Sequence, residues 1–132
     1  MIVEKLVVGF LKTNCYIVYS PDNRGCAVID PGGESRRICA DLEKRGLTPD
    51  VILVTHAHAD HVRGLWHLYE KTGACVYVHA GELDARINIG PFRFVPPPKT
   101  QYVCEGSTIC AGSLRFSVLE CPGHTPGSVV YR

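Results

Sequence analysis

Apolar and polar residues alternate along the first thirty positions of the chain and again near its end. Residues 2–8, 14–19 and 26–30 show this period of two, which is typical of strands, and turn residues separate them. Residues 51–54 are an uninterrupted apolar run, which predicts a short strand buried on both faces. Further strands are predicted at residues 75–78, from residue 102 onward, at residues 114–119 and at residues 129–132.

Helical spacing alternates with these strands in the first half of the chain. Residues 34–45 place Ile38 and Leu42 on one face and end at a glycine, which predicts a helix. A second helix is predicted at residues 62–71 and a short one at residues 81–87. The proline-rich residues 90–100 predict a crossing loop within one domain that covers residues 1–132. Strand-helix repeats followed by a β meander indicate the α/β class.

The charge pattern narrows the range of partners. The net charge is +1, and the 14 Lys and Arg are scattered, with one adjacent pair at Arg36-Arg37. This distribution argues against a nucleic-acid surface. No apolar run approaches the length of a membrane span, and the chain starts as a strand without the features of a signal peptide. We therefore expect a small-molecule substrate and no membrane association.

The cysteine pattern bears on the cellular compartment. Seven cysteines are present, an odd number, and none forms a Cys-x-x-Cys pair. Together with the missing export signal, this predicts reduced, partly buried thiols and a cytoplasmic protein.

A histidine cluster follows the buried run at residues 51–54 directly. His56 and His58 are two apart, so in an extended segment both side chains point to the same side and can bind one ion. Asp60 and His61 lie at the entry to the next helix, where they can reach a second ion or the water beside the first. Asp60 is therefore a ligand of a second ion or a base that orients water, and either role is compatible with capping that helix. Neutral imidazoles predict a zinc site.

Asp30 is the candidate for a supporting role, because it follows a strand of the same sheet layer. Histidines that bind a metal usually donate their other N–H to a carboxylate or a carbonyl. The alternative role of Asp30 is an Asx turn before Pro31.

Three other stretches accompany the cluster in a fixed order. The four segments are residues 14–16 (Asn-Cys-Tyr), residues 27–33 (ending Asp-Pro-Gly-Gly), residues 55–61 (Thr-His-Ala-His-Ala-Asp-His) and residues 121–128 (Cys-Pro-Gly-His-Thr-Pro-Gly-Ser). The set resembles the metallo-β-lactamase superfamily, and most closely its hydroxyacylglutathione hydrolase branch, the glyoxalase-type thioesterases.

That resemblance implies a fold and its extent. The family fold is an αβ/βα sandwich of two mixed β-sheets with helices on both outer faces. We expect the chain to be a C-terminally truncated domain, with the N-terminal half and the first strands of the second half. Such a part-sandwich would leave an open sheet edge, which predicts association into a homo-oligomer through that edge.

The resemblance also implies the metal ligands. His124, in the family's Gly-His-Thr-Pro-Gly loop, joins His56 and His58 at a first site. Asp60 and His61 belong to a second site, which the family completes with a bridging aspartate and a final histidine further along the chain. We expect one or two zinc ions, with iron or manganese as alternatives. A zinc ion lowers the pKa of its bound water toward about 7 and polarises a carbonyl oxygen.

Three functions are compatible with these residues. The first is a zinc-dependent hydrolase that acts on a thioester, ester or lactam carbonyl and resembles hydroxyacylglutathione hydrolase. The second is a mononuclear iron enzyme that resembles the superfamily's persulfide dioxygenases. The third is a metal-binding fragment without turnover.

Overall fold

The computed structural model describes residues 1–84 and 93–132. Within these residues the helices are α1 (Ser35–Arg45), α2 (Ala59–Val62) and α3 (Leu65–Thr72), with a 3-10 turn at Ala80–Leu83. None of these helices is long and apolar enough to cross a membrane. The strands are β1 (Ile2–Val8), β2 (Thr13–Tyr19), β3 (Gly25–Ile29), β4 (Thr48–Leu53), β5 (Cys75–His79), β6 (Thr100–Val103), β7 (Thr108–Ala111), β8 (Leu114–Glu120) and β9 (Val129–Tyr131).

The strands form two sheets. The first has six strands in the order β1-β2-β3-β4-β5-β6. Its first two pairings, β1 with β2 and β2 with β3, are antiparallel, whereas β3, β4, β5 and β6 run parallel to one another. The second sheet has the order β7-β8-β9 and is antiparallel. The sheets and helices match the predicted α/β sandwich, with a mixed first sheet.

Two apolar cores occupy opposite faces of the six-stranded sheet. On one face Ile52 of β4 packs with residues of α1 and α3, such as Ile38 and Leu68. On the other face Leu53 packs with Phe116 and other residues of the second sheet. Successive residues of β4 therefore enter different cores, which explains the uninterrupted apolar run in the sequence.

The helix predicted at residues 62–71 is interrupted. The structure has the single turn α2 followed by α3, with Gly64 between them. The Gly64 N–H donates to the Pro31 carbonyl at 2.8 Å. A Cβ at Gly64 would lie 2.7 Å from that same oxygen, so this position has no space for a side chain. Contact with the loop after β3 breaks the helix, and helical spacing alone could not reveal it.

The other helix and strand boundaries differ less from the predicted ones. The strand predicted at residues 51–54 begins earlier, as β4 (Thr48–Leu53), because the Thr48 N–H already donates to the Arg24 carbonyl at 2.8 Å. The predicted helix at residues 81–87 is represented by the 3-10 turn, and its residues 85–87 lie outside the described residues. Residues 90–92 of the predicted proline-rich loop lie outside them as well.

No two of the seven cysteines, all of which lie among the described residues, are paired in the structure, in which three are buried (Cys15, Cys26, Cys75), one is half-buried (Cys39) and three are exposed (Cys104, Cys110, Cys121). Burial, with the Asp30 charge as a lesser cause, raises the pKa of Cys15 to about 12. Burial likewise raises the pKa of Cys26 to about 12. These two thiols are therefore protonated near neutral pH and unreactive.

The edge of the second sheet is the place where we expect copies of the chain to associate. Among the described strands β9 pairs only with β8, and its Val130 is 48% exposed. An unpaired edge with an exposed apolar residue is a template for pairing with another chain. We expect size-exclusion chromatography with light scattering to show dimers or larger species, and Val130→Lys to shift them toward the 14.5 kDa monomer.

Leu11→Lys is the matched control, because Leu11 is also exposed but lies in the β1–β2 turn. A monodisperse wild-type monomer that unfolds cooperatively would rule out association through this edge.

Candidate metal centre

The polar residues gather where parallel strands end. The carboxyl ends of β3, β4 and β5 meet at one edge of the six-stranded sheet, a common location of functional sites. Asp30 follows β3, the histidine cluster follows β4, and Glu82 lies in the 3-10 turn after β5. The loop between β8 and β9 brings His124 to the same place from the second sheet. The Val129 N–H donates to the Thr55 carbonyl at 3.0 Å and attaches this second sheet to the cluster.

Three imidazoles form the centre of the site. One ring nitrogen from each of His56, His58 and His124 lies within 4.8 Å of the other two. The ring centroids are 4.9 Å apart for His56 and His58, 4.7 Å for His56 and His124, and 4.6 Å for His58 and His124. His56 is buried and the other two are exposed, so the group is shielded from solvent at His56 and accessible to solvent at His58 and His124.

This donor set suits a zinc ion. Catalytic zinc takes three protein ligands at about 2.1 Å and keeps a fourth position open, which puts the ligand nitrogens roughly 3.4 Å apart. The three nitrogens lie within 4.8 Å of one another, so they are grouped closely enough to be candidate ligands of one ion. Burial, and then the neighbouring His61, lowers the pKa of His56 to about 4. The His56 ring is therefore neutral near pH 7 and has a lone pair for a metal.

A hydrogen-bond chain selects the nitrogen that His56 presents. The Thr55 hydroxyl donates to Asp30 Oδ2 at 2.6 Å, and its oxygen lies 3.0 Å from His56 Nδ1. A hydroxyl has one proton, so Thr55 can only accept from His56 Nδ1–H. Nε2 is then the nitrogen left for a metal. Asp30 is held in turn by the Thr55 N–H, which donates to Oδ1 at 2.8 Å.

Asp30 also contacts His61. Its Oδ2 lies 3.0 Å from His61 Nδ1, and Asp30, His56 and His61 form a second group whose ligand atoms lie within 4.8 Å of one another. Burial acts to lower the pKa of His61, but the hydrogen bond and charge of Asp30 outweigh it and raise the pKa overall. The Asp30 side chain thus bonds Thr55 and His61, and the alternative Asx turn is wrong, because the Gly32 N–H donates to the Asp30 backbone carbonyl.

Asp60 lies beside this second group. Thr13 Oγ1 donates to Asp60 Oδ2 at 2.8 Å, and His61 Nε2 is 3.5 Å from the same oxygen. Burial acts to raise the pKa of Asp60, but the Thr13 hydrogen bond and His61 outweigh it, and the net shift is downward. The carboxylate is therefore ionised at neutral pH. The helix-capping role is wrong, because the N-cap of α2 is His58.

The sequence predictions missed Glu82, Thr13 and Thr125, which also contact the site. Glu82 is 1% exposed and bonds the histidine cluster and the His124 loop. The sequence feature that could have identified Glu82 is its position after an apolar strand, which is also the feature that identified Asp30 as a candidate. Thr125 lies in the motif at residues 121–128 but received no role there, and Thr13 gave no signal, because a single hydroxyl is common in any turn.

A cavity opens beside the ligands. Its volume is about 340 Å³, and it is lined by Asp60, Arg63 and the turn between β1 and β2, where Phe10 is 94% exposed. A second cavity of about 330 Å³ also contains Arg63, together with Trp66 and Arg93. A larger cavity of about 590 Å³ is lined by residues of α1 and α3 and contains none of the clustered ligands. The cavity lined by Asp60 is therefore the one that adjoins the ligands, and the second cavity shares Ala59 and Arg63 with it.

Comparison with known proteins agrees with this arrangement. The family model of the metallo-beta-lactamase superfamily matches residues 8–132. The probable metallo-hydrolase YqgX of Bacillus subtilis is 37% identical and matches 97% of this chain and 64% of its own length. The hydroxyacylglutathione hydrolase GloC of Haemophilus influenzae is 29% identical and matches 98% of this chain and 65% of its own.

A solved structure gives the same result at the level of the fold. TTHA1623, in a di-iron-bound form, superposes with a TM-score of 0.80 at 31% identity, over 98% of this chain and 66% of that one. The chain thus spans about two thirds of the length of the proteins it matches.

Proposed function

We propose that this chain, which belongs to the metallo-β-lactamase superfamily, carries the metal site of a metal-dependent hydrolase that acts on a thioester or ester carbonyl. The observation that carries the proposal is the group of three imidazoles, from two separate loops, with ring nitrogens within 4.8 Å of one another. The thioesterase branch is supported by the relative named hydroxyacylglutathione hydrolase.

We assign His56, His58 and His124 as ligands of one zinc ion, and Asp60 and His61 as ligands available to a second ion. Zinc held there would supply a Lewis acid for the carbonyl oxygen and would acidify water. Manganese would accept the same nitrogen and oxygen donors. The lowered pKa of Asp60 supports its assignment, because an ionised carboxylate is needed both for a ligand and for a base.

Protein groups around the ligands hold them for this reaction. Asp30 orients His56 through Thr55 and orients His61 directly, with contacts of 2.6 Å to 3.0 Å. Thr13 holds Asp60 through Oδ2. We assign to Asp60 Oδ1 the role of accepting a hydrogen bond from the attacking water, and so of orienting it. These contacts keep the reacting groups in place before the substrate enters.

A small molecule fits the cavity beside Asp60 and the neighbouring cavity that shares Ala59 and Arg63 with it. Each is about 330 to 340 Å³ in volume, which is the size range of small-molecule sites. Arg63 lines both cavities and provides positive charge for an anionic substrate, while Phe10 and Trp66 provide apolar surface. The near-neutral, scattered charge of the chain supports a small substrate over nucleic acid.

A second candidate is an iron-dependent oxygenase of the persulfide dioxygenase type. One observation supports iron in place of zinc at such a site, the di-iron-bound form of the structural relative TTHA1623. Imidazoles bind iron as well as zinc. Iron content of the purified protein, together with oxygen uptake in the presence of a persulfide, distinguishes this candidate from the hydrolase.

The free cysteines support a reducing compartment, for which the cytoplasm is our proposal. All seven lie among the described residues, and none is paired with another.

The hydrolase is tested with a 2-hydroxyacyl thioester of glutathione. We expect hydrolysis by the zinc-loaded protein, its loss on chelation and its return when zinc is added back. Chelation should leave the slow background hydrolysis of the thioester in buffer unchanged, which serves as the control. Zinc binding without turnover would favour the third hypothesis, a metal-binding fragment. Failure to bind any metal would contradict the proposal itself.

A further inference from the structure

Glu82 has a buried carboxylate that neither the ligand set nor the cavities account for. It lies in the 3-10 turn after β5 and is 1% exposed. A buried carboxylate is costly unless hydrogen bonds satisfy its oxygens. The hydrogen bonds of the two Glu82 carboxylate oxygens therefore indicate the role of this residue.

Both oxygens of Glu82 accept hydrogen bonds from the site loops. Oε2 accepts from the Ala57 N–H at 2.6 Å. Oε1 accepts from the Thr125 hydroxyl at 2.5 Å and from the Gly127 N–H at 3.0 Å. All three partners are donors, which suits an ionised carboxylate and does not suit an amide.

The partners of Glu82 adjoin the three clustered histidines. Ala57 is the residue between His56 and His58, and Thr125 is the residue directly after His124. One side chain therefore contacts the backbone segment of the first two ligands and the loop of the third. These segments come from different sheets, and Glu82 joins them across the site.

The backbone around Glu82 is built for this close approach. A Cβ at Gly81 would lie 3.0 Å from the Cα and N of Gly127. A Cβ at Gly127 would lie 2.8 Å from the Glu82 backbone nitrogen. Only glycine at these two positions allows the 3-10 turn and the His124 loop to come into contact. This contact keeps the Glu82 carboxylate within hydrogen-bond distance of its donors.

We propose that Glu82 is a positioning residue that locks the His56–His58 segment against the His124 loop in the geometry a metal ion needs. The proposal rests on the metal site of the proposed function. Without the lock, metal binding has to order the exposed His124 loop, and affinity falls. The negative charge next to the site also favours a bound cation.

The test measures zinc affinity by competition with a chromophoric chelator. Glu82→Gln keeps the size of the side chain, but its amide NH₂ group then faces a hydrogen-bond donor. We expect zinc affinity to fall by about 10- to 100-fold, which is the usual effect of losing a group that orients a metal ligand. Glu120→Gln is the matched control, because Glu120 also accepts backbone and histidine hydrogen bonds but is exposed on β8. We expect zinc affinity to be unchanged in the control.

Thr125 provides a second pair of variants in case Glu82→Gln fails to fold. Thr125→Val removes one donor to Oε1, and Thr125→Ser restores it. We expect weaker zinc binding in the first and wild-type binding in the second. Wild-type zinc affinity in both Glu82→Gln and Thr125→Val would overturn the proposal. A lower unfolding free energy with unchanged affinity would also overturn it, because the role would then be structural only.

Hydrogen exchange separates this inference from the proposed function. If the wild-type protein binds no zinc, the proposed function fails, and the amides of Ala57 and Gly127 decide the role of Glu82. Both amides should be protected in the metal-free wild-type protein and should lose protection together in Glu82→Gln. Protection that is unchanged in the variant would overturn the lock.

Discussion

We expect His56→Ala to abolish the retention of zinc after dialysis. His56 is the buried member of the three-imidazole group, and its ring is neutral near pH 7. The substitution therefore removes the buried nitrogen donor of the group. Apparent binding energies of about 10 to 16 kcal/mol for structural zinc, shared among four ligands, imply roughly 60-fold or more weaker binding for each ligand lost. Zinc content per chain, measured by atomic emission after dialysis, provides the readout.

His67→Ala is the matched control. His67 lies on α3 and is outside both groups of ligands that the described residues form. We expect the control to retain as much zinc as the wild-type protein, and His124→Ala to behave like His56→Ala. Equal retention by His56→Ala and the wild type would mean that the metal binds elsewhere.

We expect Gly32→Ala to lower the free energy of unfolding by about 3 kcal/mol, the upper end of the usual range for overpacking. A Cβ at Gly32 would overlap the carbonyl oxygen of Asp60 and lie 3.3 Å from the Cα of His61. The obstacle is backbone, so α2 itself has to move, and Asp60 and His61 move with it. Urea unfolding followed by circular dichroism measures the loss.

Gly46→Ala separates this packing effect from backbone strain. Gly46 has a φ of +66°, and a Cβ there would meet no described atom within 4 Å. We expect a cost of about 1 kcal/mol from the left-handed conformation alone. If Gly32→Ala costs no more than Gly46→Ala, the loop after β3 does not support α2 as the structure indicates.

The arrangement explains why function depends on loops from both sheets. The six-stranded sheet supplies Asp30, His56 and Glu82 from the ends of three parallel strands. The second sheet supplies His124 from the loop between two antiparallel strands. Any change that separates the sheets therefore also opens the three-imidazole group. We expect metal binding and the association of the two sheets to be thermodynamically coupled.

Most of the fold was predictable from local pattern. Alternation at residues 2–8 and the apolar run that became β4 depend on neighbouring side chains only, and the structure confirms both strands. The interruption between α2 and α3 was not predictable, because its cause is the Pro31 carbonyl, which is distant in the sequence. Boundaries that follow from long-range packing leave no periodic signal.

The candidate site divides in the same way. The cluster from His56 to His61 could be predicted from its spacing, since ligands two residues apart on one extended segment meet without help from the fold. The order of the four motifs was enough to identify the superfamily, and the family match confirms it. The approach of His124, the orienting contacts of Asp30 and the role of Glu82 depend on strand ends that converge only in the folded chain. The hydrogen-bond partners of a buried carboxylate are set by tertiary packing, so the pattern of residues in the sequence does not predict them.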